Sequence, residues 1–209
     1  MNLKTGPERE KSLGKSFYYS PAYFNQNQLY SLSHQINLLY NLNPKNILEI
    51  GIGNGFVSDF FKKSGHKITT LDINPELKPD IVGNILELDK SINQKFDIVL
   101  CSEVLEHLPL EKFETCLKNL KKVTQRKLFL TLPSCRRYLF DIQTMVKPPK
   151  LDQIYLNLRI PLGRRPICEE HFWEIYSNKE TQLANLKTIL TKYFKIDTHG
   201  ITQFNSFHH

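Results

Sequence analysis

The sequence predicts an α/β domain: a mostly parallel central sheet of about seven strands with helices on both faces. Two observations predict it. Short apolar runs alternate with amphipathic stretches of helical period along most of the chain, the pattern of strands joined by crossover helices. The first of those runs also feeds directly into three glycines at alternate positions, Gly51, Gly53 and Gly55. A length of 209 residues, 40% hydrophobic and 23% charged, suits one core and gives no case for two large domains.

The elements follow in order. Residues 25–41 carry Leu29, Leu32, Ile36, Leu39 and Tyr40 at helical spacing and stop before Asn43-Pro44, so they form a helix ended by turn residues. Ile47-Leu48-Glu49-Ile50 is a strand, Gly51 to Gly55 a tight turn, and Phe56-Val57-Ser58-Asp59-Phe60-Phe61 the start of a second helix. Residues 67–71 make a strand that ends in Asp72, residues 80–85 a short third one, and residues 96–102 a fourth, leading into Glu103-Val104-Leu105-Glu106-His107-Leu108. Residues 110–124 place Phe113, Cys116, Leu117, Leu120 and Val123 on one stripe, with Lys118, Lys121 and Lys122 toward the carboxyl end, where they suit the helix dipole. Residues 127–132 are the fifth strand. Beyond Pro133 the breakers Pro148-Pro149, Pro161, Gly163 and Pro166 predict an irregular insertion up to residue 178. Ser177-x-x-Glu180 reads as a capping box for a helix with Leu183, Leu186, Ile189 and Leu190. Residues 193–199 and 203–209 then read as a terminal strand pair, the last of them short.

The glycine turn carries most of the chemistry. Glycine accepts positive φ and has no Cβ to hold a ligand off, while the helix behind it aims unpaired N–H groups at the same spot. Asp72, ending the next strand, stands near the ~20-residue spacing at which a carboxylate accepts ribose hydroxyls in dinucleotide-binding folds. The spacing Gly-x-Gly-x-Gly departs from the Gly-x-Gly-x-x-Gly of that fingerprint, which disfavours a nicotinamide oxidoreductase. Glu49 is a costly residue inside a strand unless hydrogen bonds or a cation such as a ligand ammonium answer it. Structural alternatives stand beside each of these. The glycines can be a bare turn, Asp72 can start the Asp72-Ile73-Asn74-Pro75 turn, and Glu49 can bond neighbouring backbone amides.

Taken together, Glu49-x-Gly51-x-Gly53-x-Gly55, Asp72, the 80–85 segment and the block from Phe96 to Leu108 resemble the class I S-adenosylmethionine-dependent methyltransferases. More narrowly, they look like the small-molecule type that includes the ubiquinone and menaquinone methylases. The resemblance is strong over residues 45–132 and holds only in outline outside them. It implies a three-layer Rossmann-like methyltransferase fold and S-adenosyl-L-methionine as cofactor, with S-adenosyl-L-homocysteine as product. It also implies that the glycine loop faces the methionine moiety, that Asp72 with Ile73 holds the ribose side, that Gly83-Asn84-Ile85 lies against adenine, and that Ser102-Glu103 closes the site. Asn84 departs from the family's usual aspartate, which weakens that contact by removing its charge.

The resemblance divides the chain into a lid and helix (1–42), a cofactor-binding core (43–132), an acceptor-side insertion (133–178) and a terminal helix and strand pair (179–209). The aromatic run Phe17 to Phe24 resembles a lid over cofactor and acceptor, with Tyr18, Tyr19 and Tyr23 as polar contacts; the alternative is an apolar clasp behind the sheet. In-line attack on a sulfonium methyl needs orientation above all, and a base only for a hydroxyl or ammonium acceptor. His107 and His171 are the candidate bases, because imidazole titrates near neutral pH. A turn lock for His107 is the alternative to catalysis, and core packing for Phe172 and Trp173 the alternative to acceptor contact near His171. Arg136 and Trp173 complete the expected acceptor contacts.

The net charge is +7. From Arg136 to Arg165 seven basic residues face two acids, Asp141 and Asp152, so the expected acceptor is a small anionic metabolite or glycan precursor. RNA is an alternative, as is a catalytically silent binding or regulatory protein, but no aromatic-rich RNA-binding signature accompanies the charge. Cys101-Ser102-Glu103-Val104 stands where amino-methylating DNA enzymes carry Asn/Asp-Pro-Pro-Tyr/Phe, and no Pro-Cys nucleophile follows. No run approaches the ~18 apolar residues of a membrane span, and the charged first 20 residues resemble neither signal peptide nor anchor. Cys101, Cys116, Cys135 and Cys168 lack paired close spacing and read as reduced thiols in a cytoplasmic protein, with no metal site expected.

Overall fold

The computed structural model describes residues 6–149 and 154–201. Helix α1 (Pro7–Ser12) and a 3₁₀ turn (Lys15–Tyr19) precede α2 (Gln26–Asn41). The side chain of Asn25 caps α2 by accepting from the Gln28 N–H, which satisfies one of the orphan donors of its first turn. Then come β1 (Ile47–Ile50), α3 (Phe56–Lys63), β2 (Ile68–Asp72), β3 (Ile81–Val82), α4 (Leu88–Ser91), β4 (Phe96–Ser102), α5 (Phe113–Val123) and β5 (Thr124–Thr131).

These strands form one parallel sheet in the order β3-β2-β1-β4-β5. Alternation along the strands explains its two-sided burial. Ile47, Ile98 and Leu100 pack with Leu32 and Leu39 of α2 and with Val57 and Phe61 of α3. Their neighbours Leu48, Ile50, Val99 and Cys101 face the opposite layer, where Leu117 and Leu120 of α5 meet them. Each such fully buried aliphatic or aromatic side chain contributes about 1.5–3 kcal/mol.

Two expectations about the strands are corrected. The sheet has five strands rather than about seven. Residues 193–199 contain no strand: Tyr193 and Phe194 turn back against α5, where Tyr193 Oη donates to Glu114 and Lys121 lies over the Phe194 ring. The expected strand at 203–209 lies outside the described residues.

The stretch expected to be irregular instead contains an antiparallel hairpin of β6 (Arg136–Val146) and β7 (Ile154–Arg164). Pro161 falls opposite Tyr138, where the register shifts, so a bulge takes up the residue that cannot donate to the ladder. The ribbon leaves Leu139, Phe140, Ile142, Leu156, Leu158 and Leu162 exposed.

The expected capping box does not form. Asn178 Oδ1 accepts from the N–H groups of Glu180 and Thr181, and Ser177 Oγ pairs with Thr181 Oγ1. The amide side chain of Asn178 thus captures the amides of that turn in place of Ser177, and α6 (Leu183–Leu190) starts only after Gln182. Among the described residues no helix is long and apolar enough to cross a membrane.

Candidate functional site

A doubly wound sheet opens a crevice at the carboxyl ends of its strands where the strand order reverses, which here is between β1 and β4. A cavity of about 540 Å³ occupies that place. Gly51, Gly53 and Gly55 all adopt left-handed backbone (φ 78°, 51° and 76°), which carries the chain from β1 into α3 with the loop backbone bare. The site is tight: a Cβ on Gly51 would lie 2.5 Å from Val104 Cγ2, and one on Gly53 would lie 2.7 Å from Tyr23 Oη.

Asp72 ends β2 beside this loop. Its Oδ2 accepts from the Ile52 N–H at 2.9 Å and its Oδ1 from the Asn74 N–H at 2.8 Å, so the turn role and the site role coexist in one carboxylate. Burial raises its pKa against these two bonds. Ile73, Asn84, Ile85, Ser102 and Glu103 also line the cavity. Asn84 Oδ1 accepts from the Leu86 N–H, and Ser102 Oγ is held by Gln35 Nε2 and Thr131 Oγ1. Glu103 has φ 53°, a strained value for a residue with a side chain, in a turn that closes the cavity. Burial pushes its carboxyl up to about 8. Glu49 lies beneath the loop and off the cavity wall. Its Oε2 has no hydrogen-bond partner among the described residues, and burial lifts its carboxyl to about 8.

Residues 7–25 roof the cavity. Tyr18 and Tyr23 line it, edge to face with centroids 5.0 Å apart, and burial drives both phenols far above their usual range. Tyr19 points elsewhere and donates to the Asn54 carbonyl on the outside of the glycine loop. Asn74, fully buried, holds the roof by donating to the Glu10 and Leu13 carbonyls.

At the other end His107 and His171 meet, ring centroids 5.1 Å apart and edge to face. The two sequence candidates for a base, far apart in the chain, thus share one corner of the cavity. Burial lowers the His107 pKa, partly offset by Glu10. Burial would raise the Glu174 carboxyl, but His171, the Cys168 N–H and Arg165 together hold it below the usual range. Glu106 is fully buried, and its carboxyl is driven well above the usual range by that burial and then by Glu103.

Besides Tyr19, two expected acceptor contacts are corrected. Trp173 is 2% exposed and belongs to the core: its ring packs edge on against Phe113 and its Nε1 donates to the Leu108 carbonyl. Arg136 stacks over Tyr176 with its guanidinium carbon 3.6 Å from the ring centroid, at the base of the hairpin and off the cavity wall. The sequence reading overlooked Arg9, Glu10, Glu106 and Glu174. Only the last two carried a signal: Glu106 adjoins His107, and Glu174 stands three residues after His171.

A sequence profile of the methyltransferase domain family matches residues 23–149. A ubiquinone biosynthesis O-methyltransferase of Pseudomonas fluorescens (strain Pf0-1) is 28% identical over 120 residues, 49% of this chain and 51% of that protein. One from Coxiella burnetii (strain RSA 493 / Nine Mile phase I) is 33% identical over 82 residues, covering 32% and 35%. The matches thus span about half or less of these relatives. Among solved structures, the magnesium protoporphyrin IX methyltransferase of Synechocystis PCC 6803 with bound S-adenosylmethionine aligns over 74% of this chain and 94% of its own, at 14% identity and TM-score 0.49. A glycopeptide N-methyltransferase with S-adenosylhomocysteine aligns over 78% of each chain, at 12% identity and TM-score 0.48. The profile match, running from the roof through all five parallel strands, agrees with the resemblance carried by the glycine loop, Asp72 and the 96–108 block: the chain belongs to the methyltransferase domain family.

Proposed function

We propose that the chain transfers a methyl group from S-adenosyl-L-methionine to an oxygen or nitrogen atom of a small, anionic metabolite or glycan precursor. The observation that carries this is the bare left-handed glycine loop tied to Asp72 across the mouth of a cavity that ends at two histidines. The donor set suits the cofactor. Backbone amides of the loop suit its carboxylate end, the remaining lone pairs of Asp72 suit ribose hydroxyls, and Ile73, Asn84 and Ile85 supply apolar and amide surface for adenine. Ser102 and Glu103 border the same half of the cavity.

When bound, S-adenosylmethionine supplies an electrophilic sulfonium methyl group. The protein's task is to hold the acceptor atom about 3–3.5 Å from that carbon and in line with it, which can supply several kcal/mol of the barrier. Tyr18 and Tyr23, closed over the loop, exclude water from the reacting centre. His107 and His171 stand at the acceptor end, where a hydroxyl or ammonium must give up its proton. The names of the curated relatives favour an oxygen acceptor. The anionic character of the acceptor rests on the net charge of +7 and on the basic balance of the insertion. Arg9, which lines the cavity, pairs with Glu10 and Glu170, Arg159 with Asp141 and Arg165 with Glu174.

Calorimetric titration with S-adenosylmethionine and S-adenosylhomocysteine, with NAD as control, tests the reading. Micromolar binding of both sulfur nucleosides and none of NAD is expected. Absence of binding to the 209-residue chain would overturn it.

A further inference from the structure

Glu106, His107 and His171 each place one metal-ligating atom within 4.8 Å of the other two, on the wall of the cavity. Glu106 is completely buried, and neither carboxylate oxygen finds a hydrogen-bond partner among the described residues. Burying such a group with nothing to answer it is costly, and a cation is one of the few groups that can do so.

The two imidazoles are prepared in the same sense. His171 Nδ1 lies 2.9 Å from Glu174 Oε1, and His107 Nδ1 lies 3.3 Å from the Glu170 carbonyl and 3.4 Å from Glu10 Oε1. With oxygen acceptors at each Nδ1, the proton sits there and Nε2 keeps its lone pair. This is the carboxylate–histidine arrangement that orients metal ligands. Glu174 serves only as the outer partner, since its oxygens already take Arg165, the Cys168 N–H and His171.

We propose that Glu106, His107 and His171 bind one divalent first-row transition cation at the acceptor end of the cavity, leaving its open positions for the acceptor's oxygen. Two imidazole nitrogens and one carboxylate suit the range from Mn(II) to Zn(II), whereas Mg(II) and Ca(II) call for oxygen-rich sets. Bonds of about 2.0–2.2 Å require the three side chains to close by about an ångström. The inference rests on the methyl-transfer reading only for the acceptor's presence, and it replaces the base role of the two histidines: with Nδ1 protonated and Nε2 on the cation neither accepts a proton, so the cation acidifies the acceptor's hydroxyl, whose proton passes to water.

The test is titration of the chelator-treated 209-residue chain with Co(II), read by its visible d–d absorption. One equivalent is expected to bind. Glu106→Gln, His107→Ala and His171→Ala should each weaken binding at least tenfold, and Glu174→Gln, which leaves all three ligands in place, by about 10–100-fold. The C-terminal His208 and His209 are common to every sample and cancel in the comparison. Emission of the sole tryptophan checks that each variant is folded, and Glu106→Gln keeps the shape of the buried group. No uptake by the wild type, or uptake unchanged in Glu106→Gln and His171→Ala, would overturn the proposal. A parallel S-adenosylhomocysteine titration separates the readings: loss of nucleoside binding with Co(II) uptake intact rejects the cofactor assignment alone, and the converse rejects the metal alone.

Discussion

The carboxylate of Asp72 accepts a 2.9 Å hydrogen bond from the amide of Ile52, so the end of β2 fixes the residue between the first two glycines of the loop that follows β1. One side chain thereby sets the loop's shape and faces the cavity. Asp72→Ala should weaken S-adenosylhomocysteine binding about 100-fold or more, because hydrogen bonds to a charged group contribute about 1.5–3 kcal/mol each. Asp72→Asn, which keeps an acceptor for Ile52, should lose less. Calorimetry on both variants checks the order, and equal losses would show that the loop bond does not matter.

Gly51 allows no side chain. Gly51→Ala meets both a left-handed φ and the methyl of Val104, a strain of about 1–3 kcal/mol before any repacking. A fall in Tm of about 5 °C or more is expected by calorimetric melting, with cofactor affinity reduced as the loop shifts.

Glu49 makes stability depend on pH. Its folded carboxyl is raised to about 8 from an ordinary 4.5, chiefly by burial, so the folded state favours the protonated form. The associated stability is complete below about pH 4.5, declines as pH rises, and is gone above about 8. Glu49→Gln should remove that decline and gain on the wild type across the window, by at most about 5 kcal/mol. Urea unfolding of both proteins at pH 5.5, 7 and 8.5 measures it; parallel curves would contradict the assignment.

Trp173 is the chain's one tryptophan and lies in the core. Its fluorescence should be blue-shifted, resist acrylamide quenching and follow unfolding. Trp173→Phe leaves the Leu108 carbonyl without its donor and a void beside Phe113, costing about 2 kcal/mol, or about 4–8 °C in Tm. Cofactor affinity should stay within about twofold, and a large loss there would return Trp173 to the site.

Much of the cofactor half was legible because its signals are local. Left-handed glycines, the acid closing the next strand and the continuous burial of β1 and β4 each follow from residues adjacent in sequence. The acceptor half was not, because it is assembled from distant parts: His107 meets His171, and Glu10 reaches His107, only once the sheet has folded. Pro161 and Gly163 read as breakers, yet an edge-rich hairpin can bulge around a missing donor. The strand pattern at 193–199 failed for another reason. Tyr193 and Phe194 there pack on α5, with no partner strand among the described residues to supply ladder bonds.

The roof touches both ends of the cavity. Tyr23 hangs over Gly53 at the cofactor end, while Arg9 pairs with Glu170 and Glu10 approaches His107 at the acceptor end. On the proposed methyl-transfer reading, one displacement of residues 7–25 would admit or free both ligands, linking exchange of the nucleoside to release of the methylated product.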